Sequence, residues 1–225
     1  MTEKTYAIKP VKEEDTDAVM ELLQRTFFID EPMNEAVELY TDGKCDQLEQ
    51  FCISAMKESS MSFKAVNKEG DIIGVMVSGI RKLKDDDDSH NYLTMAEKCK
   101  NPKFQKILYV LAQREAGGKI WEKYPDDEFL VDVHIAATDP NWRKLGIMNE
   151  LLSATEKKTT QERIRILRMD TSSAYSAMSA EKLGFTCIYS AAYLDIKMNG
   201  VPIIIPKPPH VNDRIYVKLM NLEKY

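Results

Sequence analysis

The stretch DVHIAATDPNWRKLGIMNELL, Asp132 to Leu152, decides how this chain folds. Its first half, with Glu128 to Val131 before it, is a β-rich run that ends at Asp139, before Pro140. Its second half, continued to about Arg163, is amphipathic with helical spacing. A strand that turns directly into a helix aims the helix's free N–H groups, and the positive end of its dipole, past the strand's C-terminal edge. Arg143 and Lys144 add charge at that turn, and Gly146 lets the backbone come close to a ligand. The turn is therefore either an anion cradle or a helix start that happens to carry basic residues, and the glycine alone does not choose. A nucleotide P-loop is excluded, because it needs a second glycine followed by Lys and Ser or Thr, and here the residues after Gly146 are IMNE.

Outward from this unit the pattern is regular. IRILRM predicts a strand, SAYSAMSAEKL a helix that stops before Gly184, FTCIYSAAYLDI a strand, and Arg214 to Leu219 a last strand after the proline-rich NGVPIIIPKPPHV. Toward the N-terminus, Thr5 to Val11 reads as a strand, followed by a helix with Ala18, Val19, Leu22, Leu23 and Phe27 on its apolar face. Asn34 to Met56 reads as two helical pieces broken at Thr41 to Lys44. A hairpin follows, with Ser62 to Val66 and Ile72 to Ile80 joined through Gly70. A long helix starts at Pro102, with Phe104, Ile107, Leu108, Leu111, Ile120 and Trp121 as its buried stripe, and Gly117 and Gly118 interrupt it. KDDDDSHN, Lys84 to Asn91, reads as a solvated loop, since adjacent aspartates lack calcium-loop spacing. No repeat or linker divides the chain, so residues 1–225 are expected to form one α/β domain around a mixed sheet.

Composition narrows the function. There are 31 Lys and Arg against 36 Asp and Glu, a formal charge of −5, which argues against a nucleic-acid partner and suits a small cation. No segment reaches the roughly 20 apolar residues of a membrane helix, and none has signal-peptide character. Cys45, Cys52, Cys99 and Cys187 form no CxxC pair and no disulfide framework, which suggests a reducing cytoplasm. No His or Cys cluster has zinc spacing, so no metal is expected.

DVHIAATDPNWRKLGI, followed after the helix by SSAYSAMSAEKLGF, resembles the two central motifs of the GNAT superfamily of N-acetyltransferases. Arg143 and Gly146 match the first two fixed positions of the Q/R-x-x-G-x-G/A turn, whereas Met148 stands where a small residue is usual. FFIDEPMN (27–34), SSAYSA (172–177) and PKPPHV (206–211) are, in order and spacing, similar to the insect arylalkylamine N-acetyltransferases. The resemblance covers almost the whole chain and implies the GNAT fold: a central mixed, mostly antiparallel twisted sheet flanked by helices, with splayed central strands. It also implies direct, metal-free acetyl transfer from acetyl-CoA to an arylalkylamine such as dopamine, serotonin, tyramine or tryptamine.

By the same resemblance Glu31 is the general base that frees the amine of its proton. The need is real, since an alkylamine of pKa near 10 is only about 0.1% neutral at pH 7. Read from its neighbours alone, DEP can equally be a helix start, with Asp30 or Glu31 near the cap and Pro32 at the first helical position. Ser172 and Ser176 take the positions that assist the leaving thiolate, as hydrogen-bond donors or water holders rather than strong acids; Ser172 read alone can be a helix cap. Ala136, Ala137 and Thr138 match the strand opening along which pantetheine lies. Arg143, Lys144, Leu145, Gly146, Ile147 and Met148 form the pyrophosphate turn.

Several positions depart from the family. A tyrosine that many GNAT enzymes use as proton donor is replaced by Ala180; Tyr175, one turn earlier, is a candidate substitute but reads rather as a packing residue. Lys144 stands for a glycine, and Ala174 and Met178 for polar or basic residues, which leaves cofactor affinity and the identity of the amine open. His134, alternating with Val133 and Ile135, is a secondary base candidate, and Phe27, Phe28 and Tyr40 can line an amine pocket. A polyamine, a hydrazine, a longer acyl-CoA, a protein N-terminus and a non-catalytic acyl-CoA-binding role remain alternatives. Oligomeric state is not readable.

Overall fold

The computed structural model describes residues 5–40, 44–57, 61–84 and 91–222. The acidic run Asp85 to His90 and most of the break at Thr41 to Lys44 lie outside them. The strands are β1 (Tyr6–Pro10), β2 (Phe63–Asn67), β3 (Ile72–Lys82), β4 (Phe129–Thr138), β5 (Ile166–Thr171), β6 (Thr186–Ala192), the short hairpin β7 (Lys197–Met198) and β8 (Val201–Pro202), and β9 (Asn212–Leu219). Seven of them form one sheet in the order β1-β2-β3-β4-β5-β9-β6. Every neighbouring pair is antiparallel except β4 and β5. A parallel pair requires a crossover, and the helix α8 (Ile147–Gln161) supplies it.

Two apolar layers cover the two faces. On one, α1 (Thr16–Arg25), α4 (Asp46–Lys57) and α6 (Pro102–Gly118) pack on Val75, Val77, Ile135 and Ala137. On the other, α8 and α9 (Ala174–Lys182) pack on Met76, Val131, Val133, Leu167 and Met169. The short helices α2 (Phe27–Asp30), α3 (Pro32–Ala36), α5 (Tyr92–Lys98) and α7 (Ile120–Lys123) complete the first side. No helix of the described residues is long and apolar enough to cross a membrane.

Several expectations need correction. In α1 the buried residues are Val19, Met20, Leu22 and Leu23, while Ala18 is exposed, and it is Phe28 rather than Phe27 that is fully covered. Gly117 and Gly118 do not interrupt α6, which runs to Gly118 and stops at left-handed Lys119, φ +46°. The two glycines serve close approach instead. A Cβ on Gly117 would lie 2.3 Å from the Tyr189 ring, and one on Gly118 2.3 Å from Ile215 Cδ1. The helix end is pressed onto β6 and β9 because neither residue has a side chain.

The β4–β5 pairing runs from Leu130↔Ile166 to Val133↔Met169 and goes no further. Above that point β4 continues against β3 as far as Thr138↔Gly74, and β5 continues against β9 as far as Thr171↔Arg214. The two central strands therefore separate and a wedge opens between them. At the same level β4 carries a bulge: Val77 pairs with Ile135 and Ser78 with Val133, leaving His134 as the extra residue. An extra residue in a strand of period two reverses its faces. Val131 and Val133 point toward α8 and α9, but Ile135 and Ala137, of the same parity, point toward α1 and α4.

Candidate active site

The wedge is the throat of a cleft of about 890 Å³ that passes through the sheet. Phe27, Ile107 and Arg114 line it on the α1–α6 side; Met148, Ser176 and Ser179 line it on the α8–α9 side. Of the residues anticipated from sequence, the cleft collects Glu31, Ala136, Ala137, Thr138, Arg143, Lys144, Met148, Ser172 and Ser176, together with His134. Leu145, Gly146 and Ile147 do not line it. Leu145 is exposed at 54% and Ile147 is packed into the α8 core, so these positions can offer a ligand only their backbone.

Glu31 reaches the cleft because it is itself the cap of a helix. It precedes Pro32 at the first position of α3, and its Oε2 accepts from the Asn34 N–H at 2.7 Å. Asn34 also donates to the Phe27 carbonyl at 3.2 Å, tying α3 to α2. The capping and functional readings of this residue are thus compatible: Oε2 is spent on the helix, while the buried Oε1 has no hydrogen-bond partner. Burial raises the Glu31 pKa above the usual carboxylate value. The Ser172 hydroxyl, the Asn34 and Met33 N–H groups and the charge of Arg114 offset this only in part.

Ser172 follows β5, and its carbonyl accepts from Tyr193 Oη at 3.3 Å. The cap of α9 is Ser173, not Ser172: its Oγ accepts from the Tyr175 N–H at 3.1 Å. Ser176 lines the cleft while its hydroxyl donates to the Ser173 carbonyl at 2.9 Å. Tyr175 is not a packing residue. It is 61% exposed and stands edge-on to the His210 ring, 5.3 Å between centroids. His210, from the PKPPHV segment, accepts the Ala174 N–H on Nδ1 at 3.1 Å and so holds the N-terminus of α9.

At the turn before α8, Gly146 has φ +80° and Lys144 φ +66°. A Cβ on Gly146 would meet nothing within 4 Å, so glycine is required there by backbone conformation, and the space beside it is open. The first i→i−4 bond of α8 runs from the Glu150 N–H to the Gly146 carbonyl; the preceding N–H groups of Ile147, Met148 and Asn149 have no intrahelical acceptor. Arg143 is engaged: Nη2 meets Asp30 Oδ2 at 2.5 Å and Nε donates to the Thr138 carbonyl at 3.3 Å. The exposed Ala136, next to the bulge, sits where β4 has lost its parallel partner.

The floor of the cleft holds charges that the motif reading missed. Arg114 binds Asp213 through Nε and Nη2 at 2.8 and 2.5 Å and Asp170 through Nη1 at 3.0 Å. Arg168, wholly buried, binds Asp170 at 2.7 and 2.6 Å and pairs with Glu115; Arg81 approaches Glu115 and Asp132 at 3.5 Å. Burial opposes ionisation of Asp170, but Arg168 and Arg114 outweigh it and hold its pKa down to about 2. Arg114, Asp132 and Asp170 line the cleft. A signal existed: Asp132, Arg168 and Asp170 interrupt strands that are otherwise apolar, and buried charges at such positions must be paired.

No group of three or more metal-ligating side chains occurs among the described residues. The arrangement joins a basic turn with free helix N–H groups on one side of the sheet to a buried carboxylate on the other, through a strand edge without a strand partner.

No family model matches the chain. Among solved structures, arylalkylamine N-acetyltransferase 2 from Aedes aegypti is 26% identical, with 97% of this chain and 100% of that one covered and a TM-score of 0.88. The Drosophila melanogaster polyamine N-acetyltransferase, which catalyses formation of N-acetylagmatine, matches at 20% identity over 95% of this chain and 99% of that one, TM-score 0.84. A mosquito arylalkylamine N-acetyltransferase-like protein, 5b, matches at 23% over 95% and 99%, TM-score 0.83. The chain has the GNAT acetyltransferase fold, and its neighbours in structure include N-acetyltransferases, insect arylalkylamine N-acetyltransferases among them.

Proposed function

We propose that residues 1–225 form one acetyltransferase domain that transfers an acetyl group from acetyl-CoA directly to the primary amine of an arylalkylamine. The observation that carries this reading is Glu31: a carboxylate buried at the cleft, one oxygen capping α3 and the other unpartnered, with its pKa raised. A carboxylate so prepared attracts an ammonium ion and accepts its proton at a pH closer to neutrality than an exposed one does.

Acetyl-CoA fits the remaining features. The free N–H groups at the start of α8, with Lys144 and Arg143 beside them, suit the pyrophosphate, and the glycine at 146 leaves space for it. Pantetheine would lie along Ala136, Ala137 and Thr138 on the unpartnered edge of β4. There, backbone N–H groups are available to the oxyanion that forms when nitrogen attacks the thioester carbon. As the C–S bond breaks, Ser172, directly or through water, would donate a hydrogen bond to the departing sulfur, and Ser176 would do so on turning away from the Ser173 carbonyl; the sulfur takes up the proton that the attacking nitrogen sheds in becoming an amide. The aromatic wall of Phe27 and Phe51, beside the Glu31 carboxylate, favours an amine carrying an aryl group.

The test is calorimetric titration with acetyl-CoA, followed by thiol release with phenethylamine. Micromolar binding and turnover that disappears in Glu31→Gln are expected. Absence of binding at millimolar acetyl-CoA would overturn the reading and favour a non-catalytic role.

A further inference from the structure

A second cavity, of about 580 Å³, lies between α4, α5 and α6. Phe51, Tyr92, Phe104 and His134 line both it and the main cleft, so the two chambers share one wall. Phe51 and Phe104 meet edge to face in that wall, with centroids 6.2 Å apart. His134 belongs to it because the β4 bulge displaces that residue from the regular alternation.

Polarity changes along the second chamber. Its inner surface is formed by the wall and by the buried side chains of Leu108 and Ala55. Its mouth carries the exposed Asp46, Gln50 and Ser54 of α4 and Lys98 of α5, with Gln47 beside them. On α4 the mouth thus offers the Asp46 carboxylate and the amide oxygens of Gln47 and Gln50 as acceptors, and the charges of Asp46 and Lys98 cancel.

We propose that this cavity is a far-end subsite for the acceptor amine. It takes an elongated primary amine whose apolar middle crosses the aromatic wall and whose far end donates hydrogen bonds to the α4 side chains at the mouth. The inference rests on the acetyltransferase reading above, because it presumes that the reacting nitrogen sits at the β4 edge beside His134. Its physical basis is the match of the aromatic rings of the shared wall to methylene or aryl groups and of acceptor side chains to a terminal donor. A polar end stranded among the rings would lose its hydrogen bonds, and an apolar end at the mouth would gain nothing.

The experiment compares kcat/KM with saturating acetyl-CoA for two homologous series of rising length, n-alkylamines and ω-amino alcohols, each expressed as a ratio to phenethylamine. The expected result is that, beyond a threshold length, the amino alcohol overtakes the alkylamine of equal length. Ser54→Trp, which fills the mouth, should lower the long amino alcohol's ratio by about tenfold, mainly through KM. Gln50→Leu, which removes an acceptor without filling the cavity, should cancel the advantage of the hydroxyl.

Unchanged ratios in both variants would overturn the subsite. So would a shift in acyl-CoA chain-length preference with the amine series untouched, which would assign the cavity to the acyl donor. Failure to turn over any amine, phenethylamine included, would overturn the acetyltransferase reading and the subsite with it. That outcome is distinct from retained phenethylamine turnover with flat series.

Discussion

The two halves of β4 are one strand under two physical regimes. From Phe129 to Val133 it is flanked by β3 and β5, its interior residues are buried, and Asp132 is enclosed by Arg81 and Arg168. From His134 to Thr138 it keeps only β3, and Ala136 is exposed to the cleft. The lower half satisfies its backbone groups within the sheet and pairs its charge. The upper half leaves a polar edge facing a cavity, where a ligand can satisfy it. One bulged residue at their junction separates a structural role from a chemical one.

Breaking the lower half should have the largest effect. Arg168→Met strands Asp170 and Glu115 without their principal cation, and loss of one partner from a buried charge network costs about 3–5 kcal/mol. Chemical denaturation should show this loss; a change under about 1 kcal/mol would mean that the network does not clamp the paired strands.

Altering the cleft onto which the upper half opens should cost activity more than stability. Glu31→Gln is expected to lower kcat/KM for the amine by about a hundredfold or more, with acetyl-CoA affinity by calorimetry essentially unchanged. Equal activity at neutral pH would remove Glu31 from the mechanism. Its pH dependence sharpens the same point. With the folded pKa above the unfolded one, the native state holds the proton longer, so Glu31 withdraws stability as pH rises from the unfolded value through the folded one. The stability of Glu31→Gln relative to the parent should therefore increase between acidic and neutral pH. The acid limb of kcat/KM should also lie above the ordinary carboxylate range.

The smallest effect is expected at the edge of the cleft. Gly146→Ala places a Cβ at φ +80°, a strain of roughly 1–2 kcal/mol, although nothing clashes with it. Denaturation should register that loss, and calorimetry a few-fold weaker acetyl-CoA binding. A stability loss without any change in affinity would detach the turn from the cofactor.

Most of the ladder of elements was legible, because alternation marks a half-buried strand and a 3.6-residue period marks a helix. β1, the β2–β3 hairpin, β4, α8, β5, α9 and β9 all lie where those periods put them. The short helix α5 and the β7–β8 hairpin escaped, being too brief for a period to register. The ordered motifs brought Glu31, Arg143, Ser172 and Ser176 to notice, and all four line the cleft. His210 stood in a motif that was noticed, yet its hydrogen bond to the start of α9 spans 36 residues of sequence and leaves no local trace.

What the sequence by itself determined is local. It includes the strand–turn–helix unit around Gly146, a helix start at Pro32, and a formal charge of −5. Only the tertiary structure decided that β4 and β5 part after Val133, and that His134 bulges and reverses the faces of the strand above it. Nor could the chain show that Gly117 and Gly118 exist for contact rather than for a break. These are decided by which strands pair and which side chains must share one space, and local periodicity carries no record of partners brought from afar.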